Sequence, residues 1–143
     1  MPLVYEHTHV VAADEIDALG HANNLTYFHW MLRAALDHSA SQGWPSSAYR
    51  ALGRGWVVRS HTIKYLKSAL AGDELIVRTW VAELKHYSCL RRYKIVRRRD
   101  DALLASASTE WAFIDYATGN LLRIPSEVVN AFELLPDDQT ALV

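Results

Sequence analysis

The chain has 143 residues, half of them hydrophobic, which is enough to close one core without covalent or metal staples. Its 15 Lys and Arg against 16 Asp and Glu leave a net charge of -1, so neither nucleic acid nor an anionic membrane is expected as partner. A single cysteine, Cys89, excludes an intramolecular disulfide and a multi-cysteine zinc site, and fits a reducing, cytoplasmic setting.

The first residues lack the basic and apolar regions of a secretion signal, and no apolar run approaches the ~20 residues of a membrane helix. With no repeat and no linker rich in Gly, Pro or Ser, residues 1–143 read as one domain. Leu3 to Ala12, rich in β-branched and aromatic residues, predicts a strand. From Leu25 to Ser39 the period becomes helical: Phe28, Leu32, Ala35 and Leu36 recur on one side, with Met31 beside them. Asn23 or Asn24 suits the N-cap, and Gly43 with Pro45 closes the segment. Apolar around much of its circumference, this helix is expected to be wrapped by other elements.

Four strand-forming stretches follow: Trp56 to Leu66, Glu74 to Leu84, Ser88 to Arg98 and Leu103 to Tyr116. Their connections are too short for crossover helices, which makes the strands mostly antiparallel neighbours. The mixed basic and apolar run Arg91 to Arg98 predicts a strand with one solvated face. Pro125, Ser126 as N-cap and Val128, Val129 and Phe132 predict a short helix over Ser126 to Leu134. The fold class is therefore α+β, an antiparallel sheet wrapped around one long central helix. One helix cannot cover both faces and both edges of such a sheet, so a second copy is expected to pair with it.

Chemistry concentrates between Asp17 and Tyr27. Loops between rigid elements place side chains accurately, and the helix N-terminus that follows offers free amides to a developing oxyanion. Asp, Gly, His and Asn are also ordinary turn and cap residues, so no one of them is diagnostic. The joint spacing is: a carboxylate, a His four residues on, paired Asn, and a Tyr ten residues from the Asp.

The run Asp17-x-x-Gly20-His21-x-Asn23-Asn24-x-x-Tyr27 resembles the signature of hotdog-fold thioesterases of the 4-hydroxybenzoyl-CoA thioesterase type, with features of the acyl-ACP thioesterases. The likeness continues through Ile63 to Ala69, Gly72 to Leu75, Trp111 to Asp115, Thr118-Gly119 and Arg123 to Pro125. It implies a five- or six-stranded sheet around the helix, a homodimer or dimer of dimers with sites at the subunit interface, and thioester hydrolysis with no metal or other cofactor. It assigns Asp17 as general base or nucleophile, the Asn24 backbone amide as oxyanion donor and His21 as helper. Asn23 and Tyr27 order the loop and line the substrate site. The aromatic residues Phe28, Trp30, Trp56 and Tyr65 suit an acyl tunnel, and core packing explains them equally well. Leu19 stands where the acyl-ACP branch often carries Asn, so that water-positioning amide is absent. Glu15 reads as a loop carboxylate.

Ser88, at a place facing the neighbouring subunit's site in the resembling families, lacks His and Asp partners and reads as structural. Cys89, pointing to the opposite face, reads as a small buried hydrophobe. Lys85, His86 and Arg91 are the first candidates for contacting CoA phosphates, although a basic strand is more often a solvated face. The leading function is hydrolysis of an acyl-CoA or acyl-ACP thioester. Its rivals are a hotdog dehydratase or hydratase and a non-catalytic acyl-thioester binding module.

Overall fold

In a computed structural model, residues 3–139 are described, and they form one five-stranded antiparallel sheet with a long helix across it. The strands are β1 (Tyr5–Val10), β2 (Arg54–Tyr65), β3 (Glu74–Leu84), β4 (Ser88–Arg97) and β5 (Ala102–Asp115). Their order is β1-β3-β4-β5-β2, so β1 and β2 are the two edges. Short turns join β3 to β4 and β4 to β5, as the short connections in the sequence predict. The chain crosses the sheet twice, once through the helix between β1 and β2 and once through residues 66–73.

Helix α1 (Asn24–Ser41) starts one residue earlier than the periodicity predicts, because Asn23 is the N-cap and its side chain accepts from Leu25 N–H. Tyr27, Trp30, Met31, Ala34 and Ala35 pack on Leu75 and Val77 of β3, Tyr93 and Ile95 of β4, and Leu104 and Ala105 of β5. Ala34 is fully buried, so its small side chain lets the helix backbone approach the sheet closely. Burial on this scale, at about 25 cal/mol per Å² of apolar surface, is the main force wrapping the sheet on the helix. Shifts of register at Val58/Ser60, Val81/Glu83 and Ile95/Val96 interrupt the ladders and bend the sheet around α1.

Several expectations change. The buried stripe of α1 is rotated from Phe28, Leu32 and Leu36, which are only half-buried or exposed. A two-turn helix, α2 (Ser46–Leu52), follows Pro45 and ends at Gly53, whose φ of 77° is the left-handed conformation of a helix stop. Helix α3 is a single turn, Ser126–Val129, capped by Pro125 rather than by Ser126. The chain leaves that turn early because the Leu135 N–H bonds to Val81 O, drawing it along β3. On β4 the alternation puts Cys89, Arg91, Tyr93 and Ile95 on the covered face, so Arg91 is 5% exposed rather than solvated.

Candidate functional site

Between β1 and α1 the chain makes a small hairpin. Ile16 bridges Ala22, the Asp17 N–H donates to His21 O at 2.8 Å, and Gly20 N–H donates to Asp17 O at 3.1 Å. Gly20 sits at φ 82°, which any side chain would find strained. The Asp17 Oδ1 accepts from Leu19 N–H at 2.9 Å and more weakly from His21 N–H at 3.4 Å. The carboxylate is thereby fixed by backbone donors yet remains exposed.

Glu15 anchors this hairpin to the helix. Its Oε1 accepts from Ala12 N–H and lies 2.7 Å from His9 Nε2, while Oε2 accepts from the buried Trp30 indole at 2.7 Å. Burial works to raise the Glu15 carboxyl pKa, but these donors outweigh it and hold the group below the usual glutamate range. The loop carboxylate read from the sequence thus has a positioning task, through partners far apart in the chain.

The other wall comes from the end of β2 and the segment after it. Ala22 N–H donates to Ala69 O at 2.9 Å, and Ala69 N–H donates to the Tyr27 hydroxyl at 2.9 Å. The Tyr65 hydroxyl donates to Asn24 O at 3.2 Å, and its ring meets Tyr27 edge-on at 5.1 Å. Asp17, His21, Asn23, Asn24, Tyr27 and Tyr65 therefore converge on one open groove of about 410 Å³. Leu66, Lys67 and Ser68 also line it. The sequence holds them only inside the matched stretch Ile63 to Ala69, with nothing to mark them individually. The Asn24 N–H, first of the helix, has no acceptor among the described residues.

Tyr27 is 2% exposed and Ala69 is fully buried. Replacing Tyr27 with Phe removes the acceptor for the Ala69 amide, and stability should fall by about 1–3 kcal/mol. Urea unfolding monitored by tryptophan fluorescence reads this directly. An unchanged midpoint would show that the hydroxyl does not hold the two segments together.

The remaining candidates lie elsewhere. Lys85 and His86 occupy the exposed β3–β4 turn, where Lys85 approaches Glu83 at 3.5 Å and His86 O accepts from Ile124 N–H. Ser88 is half-buried and its carbonyl accepts from Lys85 N–H. Arg91 Nη1 bonds to His38 Nδ1 at 2.9 Å and to Thr79 Oγ1 at 3.1 Å, under the far half of α1. Within this one chain, none of these four lines the Asp17 groove. Among the described residues no three His, Cys, Asp or Glu side chains are grouped to hold a metal, and no helix is long and apolar enough to cross a membrane.

Comparison with known proteins gives the geometry its context. The profile of the Thioesterase-like superfamily matches residues 10–132. A curated protein of Aquifex aeolicus (strain VF5), named "Putative esterase", is 26% identical over 133 residues, covering 93% of this chain and 99% of its own. The crystal structure of a 1,4-dihydroxy-2-naphthoyl-CoA thioesterase from Synechocystis superposes with a TM-score of 0.83 at 17% identity, over 90% of this chain and 94% of that one. The dynemicin thioesterase, studied with bound polyene, superposes with a TM-score of 0.82 at 25% identity, again over 90% and 94% of the two chains.

Proposed function

The chain belongs to the thioesterase-like superfamily and is a hotdog-fold enzyme of thioester hydrolysis; from that premise we propose that it cleaves an acyl-CoA thioester at the Asp17 groove. The observation that carries this assignment is the pairing of an exposed, backbone-fixed carboxylate with the unpaired first amide of α1 across the same groove. Asp17 acts on the thioester carbonyl either by drawing a proton from the attacking water or by attacking the carbon itself. Both routes require its negative charge. The carbonyl oxygen gains charge as the tetrahedral centre forms, and the Asn24 N–H stabilises it, a contribution of about 3–4 kcal/mol for comparable donors. Where water attacks, collapse breaks the C–S bond and the thiolate takes up a proton. Where Asp17 attacks, the same cleavage leaves an acyl anhydride on Asp17 that water then hydrolyses. Either route yields the carboxylic acid and free CoA. His21, across the turn from Asp17, orients the water or the carbonyl.

The carrier is read as CoA because Lys67 stands exposed in the groove wall, available to phosphates. The first turn of α1 holds no carboxylate, which disfavours dehydration by a His and a helix-borne acid. A second copy of the chain is expected to complete the site. The twelve-residue β2 is an unpaired edge carrying exposed Val57 and Val58, and Leu25 and Leu36 of α1 are 70% and 43% exposed.

The test is a thiol-release assay on the wild-type protein with short, long and aromatic acyl-CoA esters and one acyl-ACP. Release of free CoA from at least one ester, well above the spontaneous rate, supports the assignment. No thiol from any member, or loss of enoyl absorbance without thiol, overturns it.

A further inference from the structure

A second cavity, of about 260 Å³, lies under the C-terminal half of α1, closed by α2 and by the segment after α3. It opens roughly 17 Å along α1 from Asn24, taking 1.5 Å per residue to Ala35. An enclosed apolar space of about 150 Å³ already admits benzene, so this one is of ligand size. Trp44, Tyr49, Trp56, Trp111, Tyr116 and Phe132 are the aromatic residues of its wall.

Besides Ser46, Cys89, Tyr116 and the Trp111 indole, whose N–H has no hydrogen-bond partner among the described residues, the polar groups of the wall fall into two sets. The first is self-contained: Ser39 Oγ donates to Trp44 O at 2.7 Å and lies 3.1 Å from the Tyr49 hydroxyl, which accepts from the Trp56 indole. The second is cationic. Arg91 is 5% exposed, and Arg50 stands exposed on the same wall. No carboxylate lines the cavity, and neither guanidinium has a carboxylate partner among the described residues. A buried cation without a counter-charge is costly, so proteins rarely keep one without a use.

The contacts of Arg91 define the missing partner. Nη1 spends both hydrogens, one on His38 Nδ1 and one on Thr79 Oγ1, and Thr79 in turn donates to Arg92 O. His38 must be neutral to accept, and burial together with the neighbouring guanidinium lowers its pKa to about 3. It therefore supplies no negative charge. One face of the guanidinium is turned to the Phe132 ring, 6.0 Å from its centroid. The Nε and Nη2 hydrogens are left without an acceptor among the described residues, and this edge of the fork matches a carboxylate in two parallel bonds.

We propose that this cavity binds a monocarboxylic acid with an aromatic or medium-chain apolar body, its carboxylate held by the Nε–Nη2 edge of Arg91. Arg50 draws the anion in, and the tryptophan-rich wall takes the apolar part. The inference does not depend on the role of Asp17. Acids released by thioester hydrolysis belong to the same chemical class, which makes the two sites separable only by variants.

The experiment titrates benzoate, 4-phenylbutyrate and octanoate, each beside its neutral amide, into the wild-type protein. Tryptophan fluorescence and calorimetry report binding. At least one acid should bind ten-fold or more tightly than its amide. Asp17→Asn should retain that binding, whereas Arg91→Met should weaken it at least thirty-fold, with Arg91→Lys between the two. Should Arg91→Met fail to fold, the acid-to-amide ratio on the wild type still decides. The proposal is overturned if no acid binds below millimolar concentration, if acid and amide bind equally, or if Asp17→Asn abolishes the signal.

Discussion

Asp17→Asn is expected to lower kcat for thioester hydrolysis by about 10²–10⁴-fold while leaving the fold intact. The carboxylate has two separable tasks, and this substitution divides them. Its Oδ1 shapes the turn by accepting from the Leu19 and His21 amides, and an Asn oxygen does the same. Its charge is what activates water or attacks the thioester, and Asn lacks it. Circular dichroism and the unfolding midpoint should therefore match the wild type, with KM changed far less than kcat. Asp17→Ala should show the same loss of turnover plus a looser turn. Turnover by Asp17→Asn within about three-fold of wild type would remove Asp17 from the chemistry, and with it the reading of the groove.

The second large effect is acid sensitivity centred on His38. The imidazole is 2% exposed, stacked on Tyr5, edge-on to Phe132, and in contact with the Arg91 guanidinium. Burial first, and Arg91 second, lower its pKa from 6.5 to about 3. Below pH 6.5 the unfolded chain takes up a proton that the folded chain refuses until near pH 3. Folding stability is thus complete above pH 6.5 and falls as pH drops toward 3, by a few kcal/mol. His7 and His61 are also lowered, chiefly by burial, and add in the same direction. His38→Asn keeps an acceptor for Arg91 without the titration. Urea unfolding at a series of pH values should show a shallower decline for that variant. Parallel declines would mean that His38 does not govern the loss.

The legibility of the molecule divides along chain separation. The helix, its Asn23 cap, β3 and the convergence of Asp17, His21, Asn23, Asn24 and Tyr27 could all be read because the groups are close in sequence. Tyr65 and Ala69 complete the groove from some forty residues away, and no local pattern announces the Tyr27–Ala69 bond. Helix α2 lies outside the expected elements because its seven residues show no apolar period, and Gly43 with Pro45 marks only the end of α1. Charge points Arg91 to a solvated face or to phosphate, whereas its parity with Cys89, Tyr93 and Ile95 places it inward. Strand alternation is the stronger rule, since it is geometric, while a buried arginine violates only an average. The rotation of the α1 stripe has a similar cause. Phe28 and Leu32 face β2 beside His61 and are only half-buried there.

One bond links the sheet edge to the groove. Tyr65 closes β2, the unpaired edge, and its hydroxyl holds the carbonyl of Asn24, the residue whose amide is assigned to the oxyanion. The end of the edge strand thus holds the 24–25 peptide, one step past the peptide that carries the Asn24 N–H. That bond ties the end of β2 to the first turn of α1, and fixed register between the two is the kind of preorganisation an oxyanion donor needs.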